Sequence, residues 1–168
     1  LTQARLHGTA VTSEMEVFFD LCPCPIYAVT GSDGKTTTTT IIAELLAAEG
    51  VTVHKGGNIG RALLPIIEEV KDDDAAVVEL SSFQLISMRQ SPEVADMQEY
   101  IDSKANLLLH QNAFSRAVLS YDNETARDLS PLVRGQLAYF SRFEKPENGA
   151  FLADNGMLCY NDLSLIHI

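Results

Sequence analysis

The chain has 168 residues, 46% of them hydrophobic and 21% charged, and a formal net charge of −11. This size and composition predict one globular domain with a core of its own. The acidic charge and the lack of Trp argue against a broad nucleic-acid or anionic-membrane surface, so neither partner is expected. Three cysteines without a paired pattern, and no apolar run of membrane-spanning length, predict a reduced protein of the cytoplasm.

The first third of the chain opens with a lead-in, residues 1–24, that has a short helical pattern around Glu14–Phe19. An apolar run at 25–29 predicts a buried strand, and residues 36–49 have the spacing of a helix. The apolar residues predicted to share one face of this helix are Ile41, Ile42, Leu45 and Leu46.

Between that strand and that helix lies the sequence Thr-Gly-Ser-Asp-Gly-Lys-Thr, residues 30–36. A strand, a glycine-containing turn and a helix that starts with Lys-Thr form the layout of a phosphate-binding loop. Lys35 is then placed to reach the outer phosphates and Thr36 to ligate Mg²⁺. The usual pattern has a further glycine where this chain has Val29, so the loop is a shortened variant. The alternative interpretation is a tight turn with an exposed lysine.

The middle of the chain alternates predicted strands and helices, namely a strand at 51–54, a helix at 62–70 and a strand at 75–78. The last strand is apolar throughout, which is typical of a strand buried on both faces of a parallel sheet. The pattern predicts an α/β fold, a doubly wound and mostly parallel sheet with a phosphate-loop nucleotide site. Lys35, Asn58 and Glu79 fall at or just beyond the carboxyl ends of these strands, where ligands gather.

Several polar residues of this region allow two interpretations. Glu79, which closes the apolar strand, is suited to bind Mg²⁺, but a helix N-cap or a solvent-facing strand end is the alternative. The acidic triplet Asp72–Asp74 is interpreted as a solvated turn. His54 and His110 are interpreted as surface or partly packed residues rather than catalytic ones.

The last part of the chain begins with a predicted helix, Met97–His110, with an apolar stripe. Its periodicity alone places Lys104 on a solvated face. A short buried strand at 117–119 and a turn into a brief helix at 122–124 follow. The remaining predicted strands form a small antiparallel β appendage, with a hairpin signal at Asp154-Asn155-Gly156. They cover residues 136–140, 150–152 and 157–160.

Three motifs in this order resemble the Mur ligases, and the resemblance runs from Ser13 to about Tyr160. They are the loop at 30–36, Gly-Gly-Asn-Ile-Gly at 56–60 and Glu-Leu-Ser-Ser-Phe-Gln-Leu at 79–85. The first motif belongs to a wider family that includes the folylpolyglutamate synthases. The other two favour the member that adds D-glutamate.

The resemblance implies an ATP-dependent amide ligase of cytoplasmic peptidoglycan synthesis, acting on UDP-N-acetylmuramoyl-L-alanine and D-glutamate through an acyl phosphate. By motif, Lys35, Glu79 and Lys104 are the implied catalytic residues, and Thr36, Glu79 and a carbamylated Lys104 are the implied Mg²⁺ ligands. Asn58 and Ser81 are implied to contact the UDP-sugar. The residues implied to cradle the ATP phosphates are Gly31, Ser32, Asp33, Gly34, Lys35, Thr36, Thr37 and Thr38.

The chain also departs from the family pattern. Residues 1–24 are interpreted as the end of an N-terminal UDP-binding domain with its linker, and 25–162 as the central ATP-binding domain. The resemblance implies that a strand and loop are missing between Ala95 and Asp96, either through a real deletion or through loss of this stretch from the sequence. Residues 163–168 are interpreted as an adapter-derived tail. The chain is therefore expected to be a monomeric, truncated fragment without ligase turnover. The alternatives are another Mur-type amide ligase or a nucleotide-binding NTPase module without ligase chemistry.

Overall fold

In the computed structural model, residues 6–9, 11–87 and 97–167 are described. The chain divides into two compact units, Leu1–Lys104 and Ala105–Ile168. Among the described residues, none of the helices combines the length and the apolar composition that crossing a bilayer requires.

The first unit is built on a three-stranded parallel sheet with the strand order β1-β3-β2. Its strands are β1 (Ile26–Val29), β2 (Val53–Gly57) and β3 (Ala75–Glu79). Its helices are α1 (Glu14–Leu21), α2 (Lys35–Ala48), a 3₁₀ helix (Leu64–Glu69) and α3 (Ser82–Ser87). Helix α4 (Met97–Leu109) follows and runs across the boundary between the units.

Strand β3 is the centre of this sheet and of the core. All five of its residues are buried, and Ala76, Val77 and Val78 are fully inaccessible to solvent. The strand has a parallel neighbour on each side, β1 and β2, and α2 packs against it. The prediction of a strand buried on both faces, and with it the α/β class, is confirmed.

The predicted apolar face of α2 is wrong in part. Ile41 and Leu45 are 53% and 64% exposed, whereas Thr39 and Ala43 are buried. The buried stripe of α2 therefore runs through Thr39 and Ala43, to one side of the longest apolar residues. Ile42 and Leu46 are half-buried beside this stripe.

Two other local predictions are corrected. The helix predicted over 62–70 is a short 3₁₀ helix, with Pro65 in its first turn. The acidic turn is not solvated throughout, because Asp74 is buried and its Oδ2 lies 2.7 Å from His54 Nε2. An aspartate that closes a turn onto a neighbouring strand is drawn inward by its partner, and composition alone does not reveal that partner.

The second unit holds a five-stranded mixed sheet in the order β4-β5-β6-β7-β8. Strands β4, β5 and β6 pair in parallel, while β6, β7 and β8 pair antiparallel. The hairpin predicted at Asp154-Asn155-Gly156 joins β6 to β7 and is confirmed. The strands are β4 (Arg116–Ser120), β5 (Gln136–Ser141), β6 (Gly149–Leu152), β7 (Met157–Tyr160) and β8 (Leu163–His167), with α5 (Glu124–Asp128) and a 3₁₀ turn (Ser130–Leu132).

This sheet differs from the predicted appendage in two respects. Its strand β6 runs parallel to β5, so the antiparallel part is limited to β6, β7 and β8. Strand β4 belongs to this sheet and not to the sheet of the first unit. The C-terminal strand β8 was not predicted, and it forms through backbone pairing with β7.

Candidate nucleotide-binding site

The loop between β1 and α2 ends in a helix N-terminus that no side chain caps. Gly34 is the N-cap residue and has φ +71, in the left-handed region that glycine occupies at low cost. Its carbonyl accepts the first helical bond, from Thr38 N–H at 2.9 Å. The N–H groups of the first turn and the positive end of the helix dipole are therefore available to an anion.

Lys35 is the first residue of α2, and its side chain curls back over the loop. The Nζ donates to the carbonyl of Gly31 at 3.0 Å and to that of Ser32 at 3.1 Å. Lys35 is therefore half-buried and hydrogen-bonded to the loop rather than exposed. The loop holds one positive charge beside its own uncapped N–H groups, which is the combination that phosphate binding requires.

Glu79, at the carboxyl end of β3, is the centre of a hydrogen-bonded group. It is only 2% exposed. Thr36 Oγ1 donates to one carboxylate oxygen at 2.7 Å, and Asn58 Nδ2 donates to the other at 3.1 Å. The Asn58 backbone N–H also donates to the Glu79 carbonyl at 2.8 Å. The carboxylate therefore joins the segments that follow all three strands, and both the N-cap and the solvent-facing alternatives are wrong.

The glycine run before Asn58 makes this approach possible. Gly56 and Gly57 are the last two residues of β2, which ends three positions beyond the strand predicted over 51–54. A Cβ on Gly57 would lie 2.3 Å from the Glu79 carbonyl oxygen, and the residue has φ +100. Only glycine fits both the close backbone contact and this dihedral angle.

The donor set fits a hard divalent cation with a bound nucleotide. A carboxylate and a hydroxyl are oxygen ligands of the kind that Mg²⁺ prefers, and they lie at the start of the helix that would bind phosphate. In addition, the buried Oγ1 of Thr30, where the loop begins, has no hydrogen-bond partner. An orphaned buried hydroxyl at this position indicates that the loop is arranged for a further polar group.

Ser81 has a structural role that the sequence analysis missed. Its Oγ accepts from Gln84 N–H at 3.3 Å, and its own N–H donates to Gln84 Oε1 at 2.9 Å. These two bonds form a capping box at the start of α3. The Ser-x-x-Gln spacing was the available signal. The implied contact of Ser81 with substrate stays a prediction.

The other predicted site residues fall into two groups. Ser32, Asp33, Thr37 and Thr38 are exposed around the loop and the first turn of α2. Lys104 is half-buried on α4, and its role as a carbamylated metal ligand stays a prediction.

A cavity of about 240 Å³ lies within the first unit. Its lining includes Met15, Gly57, Leu63 and Gln84. Gly57 directly precedes Asn58, and Gln84 is the hydrogen-bond partner of Ser81. The cavity therefore adjoins Asn58 and Ser81, for which the resemblance implies a contact with the UDP-sugar.

Fold and site together define an α/β domain with a glycine-containing loop of the phosphate-binding type at a helix N-terminus. Residues 29–95 match the family model of the Mur ligase middle domain. Two relatives, both named UDP-N-acetylmuramoylalanine–D-glutamate ligase, come from Acetivibrio thermocellus (49% identical, 95% of this chain) and Ruminiclostridium cellulolyticum (40% identical, 100% of this chain). The chain belongs to the Mur ligase family. It spans 37% and 39% of the length of these two relatives.

Solved structures support the fold. A murein peptide ligase from Psychrobacter arcticus matches 96% of this chain with a TM-score of 0.60 at 15% identity, over 43% of its own length. A UDP-N-acetylmuramoylalanyl-D-glutamyl-2,6-diaminopimelate–D-alanyl-D-alanyl ligase from Acinetobacter baumannii matches 84%, with a TM-score of 0.56 at 12% identity, over 36% of its length.

The alignments with the relatives contain positions that this chain lacks. The alignment with the A. thermocellus ligase has 173 positions but includes 95% of the 168 residues, about 160, which leaves about 13 positions unmatched. The R. cellulolyticum alignment has 182 positions for all 168 residues, which leaves 14. The family-model match ends at Ala95.

Proposed function

We propose that this chain is the ATP-binding part of a ligase that joins D-glutamate to UDP-N-acetylmuramoyl-L-alanine in cytoplasmic peptidoglycan synthesis. The observation that carries the proposal is the buried Glu79 carboxylate, held by Thr36 and Asn58 beside the phosphate loop. All three residues belong to the motifs that resemble those of the Mur ligases, and all three lie at the carboxyl ends of the strands of one sheet. The names of the two relatives support D-glutamate as the amino acid.

The loop residues have separable tasks in this proposal. The N–H groups of 31–36 and the N-terminus of α2 bind the ATP phosphates. Lys35 leaves the Gly31 and Ser32 carbonyls to stabilise negative charge on the transferring phosphoryl group. Glu79 and Thr36 hold Mg²⁺, which when bound neutralises phosphate charge and polarises the phosphoryl oxygens.

The proposed reaction has two steps. The terminal carboxylate of UDP-N-acetylmuramoyl-L-alanine attacks the γ-phosphorus of ATP, so a C–O–P bond forms and ADP leaves. The amine of D-glutamate then attacks the acyl carbon, loses a proton, and inorganic phosphate leaves the tetrahedral intermediate. Orientation of the carboxylate beside the loop accounts for much of the rate, because phosphoryl transfer depends on positioning and charge stabilisation.

Two further residues complete the proposed site. Asn58 follows the cavity-lining residue Gly57 in sequence, and Ser81 is hydrogen-bonded to the cavity-lining residue Gln84. This placement supports a contact of Asn58 and Ser81 with the UDP-sugar. Lys104, in its neutral form, is proposed to take up CO₂ as a carbamate and so to serve as a second anionic metal ligand. The enzyme is proposed to act as a monomer.

Nucleotide binding is tested on the chain itself by titrating a fluorescent ATP analogue with and without Mg²⁺. Lys35→Ala should weaken binding at least tenfold, since it removes a charge-assisted contact, whereas Lys71→Ala, at an exposed position, should not. Equal affinity for ATP and GTP would instead favour an NTPase module without ligase chemistry.

Ligase chemistry is tested in a chimera of the A. thermocellus ligase that carries residues 25–87 of this chain in place of its own. The chimera should incorporate D-glutamate and lose that activity on Lys35→Ala. Incorporation of a different amino acid would reassign the chain to another Mur-type amide ligase.

A further inference from the structure

The segment Cys22-Pro23-Cys24 joins the end of α1 to the start of β1 and has no part in the proposed ligase chemistry. Cys22 is the C-cap residue of α1, and its backbone N–H donates to the Phe18 carbonyl at 2.8 Å. The two cysteine sulfur atoms are 3.5 Å apart, and Cys22 Sγ also lies 3.7 Å from the Cys24 carbonyl oxygen. The two thiols therefore face each other across a single proline.

The backbone holds the two thiols in this arrangement. The residue before a proline is restricted to extended dihedral angles, and Cys22 has φ −66 and ψ 119. The proline has a fixed φ, so few free rotations separate the two cysteines. Cys24 is held from the other side, because the carbonyl of Pro25 accepts from the Ala76 N–H at 3.0 Å where the pairing of β1 with β3 begins. A bond between the two sulfurs would therefore cost little conformational entropy.

The two thiols differ in their access to solvent. Cys22 is half-buried, whereas Cys24 is only 6% exposed. Burial, and then the hydrogen bond with Cys22, raise the pKa of the Cys24 thiol to about 12. Because reaction requires an accessible thiolate, a reagent that arrives from solvent reacts first at Cys22. Cys24 is then in position to attack the sulfur that has been modified.

A metal site and a structural disulfide both explain this pair less well. Within the part of the chain that the structure describes, no group of three or more His, Cys, Asp or Glu side chains could hold a metal ion, whereas structural zinc takes four ligands. A disulfide across so short a loop restricts the unfolded chain very little, so it adds little stability. Disulfides of intracellular proteins are usually transient and redox-sensing. The pair is therefore suited to reversible oxidation.

We propose that Cys22 and Cys24 form a redox-active dithiol, which a low-molecular-weight disulfide such as oxidised glutathione converts reversibly to an intramolecular disulfide. The Cys22 thiolate attacks one sulfur of the reagent, so a mixed disulfide forms and one thiolate leaves. Cys24 Sγ then attacks Cys22 Sγ, which brings the two sulfurs from 3.5 Å to about 2 Å and releases the second thiolate. Each leaving thiolate takes up the proton that the attacking cysteine has lost. The dithiol is thereby oxidised, and the reagent is reduced to a pair of thiols.

The first measurement uses the unaltered chain, so it does not depend on the folding of any variant. After incubation with oxidised glutathione, free thiols are counted in denaturant and the intact mass is recorded. Of the three cysteines only Cys159 should remain free, without a glutathione adduct, and peptide mapping should locate the bond between Cys22 and Cys24. Reduced glutathione should restore all three thiols. A lasting adduct on Cys22, a disulfide between two chains, or no reaction would each overturn the proposal.

Single substitutions separate the two roles. Cys24→Ser should stop the reaction at a stable glutathione adduct on Cys22. Cys22→Ser should react at least about tenfold more slowly than the parent, since only the buried Cys24 is then left of the pair. Cys159→Ser, which also removes a buried thiol, is the matched control and should form the internal disulfide at the parental rate. Equal rates in Cys22→Ser and the parent would overturn the assignment of Cys22 as the attacking thiol.

Discussion

Thr36 and Glu79 are 43 positions apart in sequence, and the Thr36 hydroxyl donates a 2.7 Å hydrogen bond to the Glu79 carboxylate. The carboxylate is 2% exposed, so without its two donors it would be a buried charge with little compensation. The bond therefore organises the end of β3 and the start of α2 before any ligand arrives. Two residues proposed to hold Mg²⁺ are thus already in position.

Replacing the carboxylate tests this arrangement. Glu79→Gln should weaken the Mg²⁺-dependent part of ATP binding about tenfold or more, because an ionic ligand becomes a neutral amide and contacts to charged groups contribute about 1.5–3 kcal/mol. The measurement is the ATP dissociation constant with Mg²⁺ and with EDTA. Glu69→Gln, at an exposed position, is the control. An equal loss in EDTA would show that the effect does not act through the metal.

Asn58 anchors Glu79, and its replacement should lower the free energy of unfolding. Asn58→Ala removes the donor to a buried carboxylate oxygen, with an expected loss of about 1–3 kcal/mol. Asn58→Asp should cost more, because a second carboxylate would then lie beside Glu79. Urea unfolding at pH 7 measures both. If Asn58 contacts substrate alone, both variants keep the parental midpoint.

Alanine substitutions at Gly57 and Gly50 compare a glycine in close backbone contact at the site with a glycine that has open space around it. Both have positive φ, +100 and +86, but a Cβ on Gly50 meets nothing within 4 Å. Gly50→Ala should therefore cost about 1–2 kcal/mol from the dihedral angle alone. Gly57→Ala should cost more and also weaken nucleotide binding, because its Cβ collides with the Glu79 carbonyl. Equal midpoints in urea would contradict the close approach.

Asp74 should make stability fall at acid pH. The hydrogen bond from His54, and then that from the Lys71 N–H, hold the pKa of the Asp74 carboxyl below its ordinary value of 3.8. Since the folded pKa is the lower one, this stabilisation is complete above about pH 3.8 and is lost as the pH falls through the folded value.

The measurement is the urea midpoint of the parent, Asp74→Asn and Asp72→Asn between pH 6 and pH 2.5. The difference between the parent and Asp74→Asn should shrink on acidification. Asp72→Asn, at an exposed position of the same turn, is the control. A constant difference across this range would mean that Asp74 stabilises the fold by packing rather than by its charge.

Some features could be predicted because neighbouring residues determine them. The apolar run of β3, the glycine loop before α2 and the Asp-Asn-Gly hairpin between β6 and β7 all follow from local composition and spacing. The Ser81–Gln84 capping box was equally local and was available in the same way.

The sequence by itself determined a phosphate loop and the family motifs, because backbone preferences of Gly, Lys and Thr act over a few residues. Only the tertiary structure decided that Asn58 and Thr36 converge on Glu79, that Asp74 turns inward to His54, and that α2 packs through Thr39 and Ala43. These contacts join segments that are distant in sequence. Their energies depend on which surfaces are buried against each other in the folded chain.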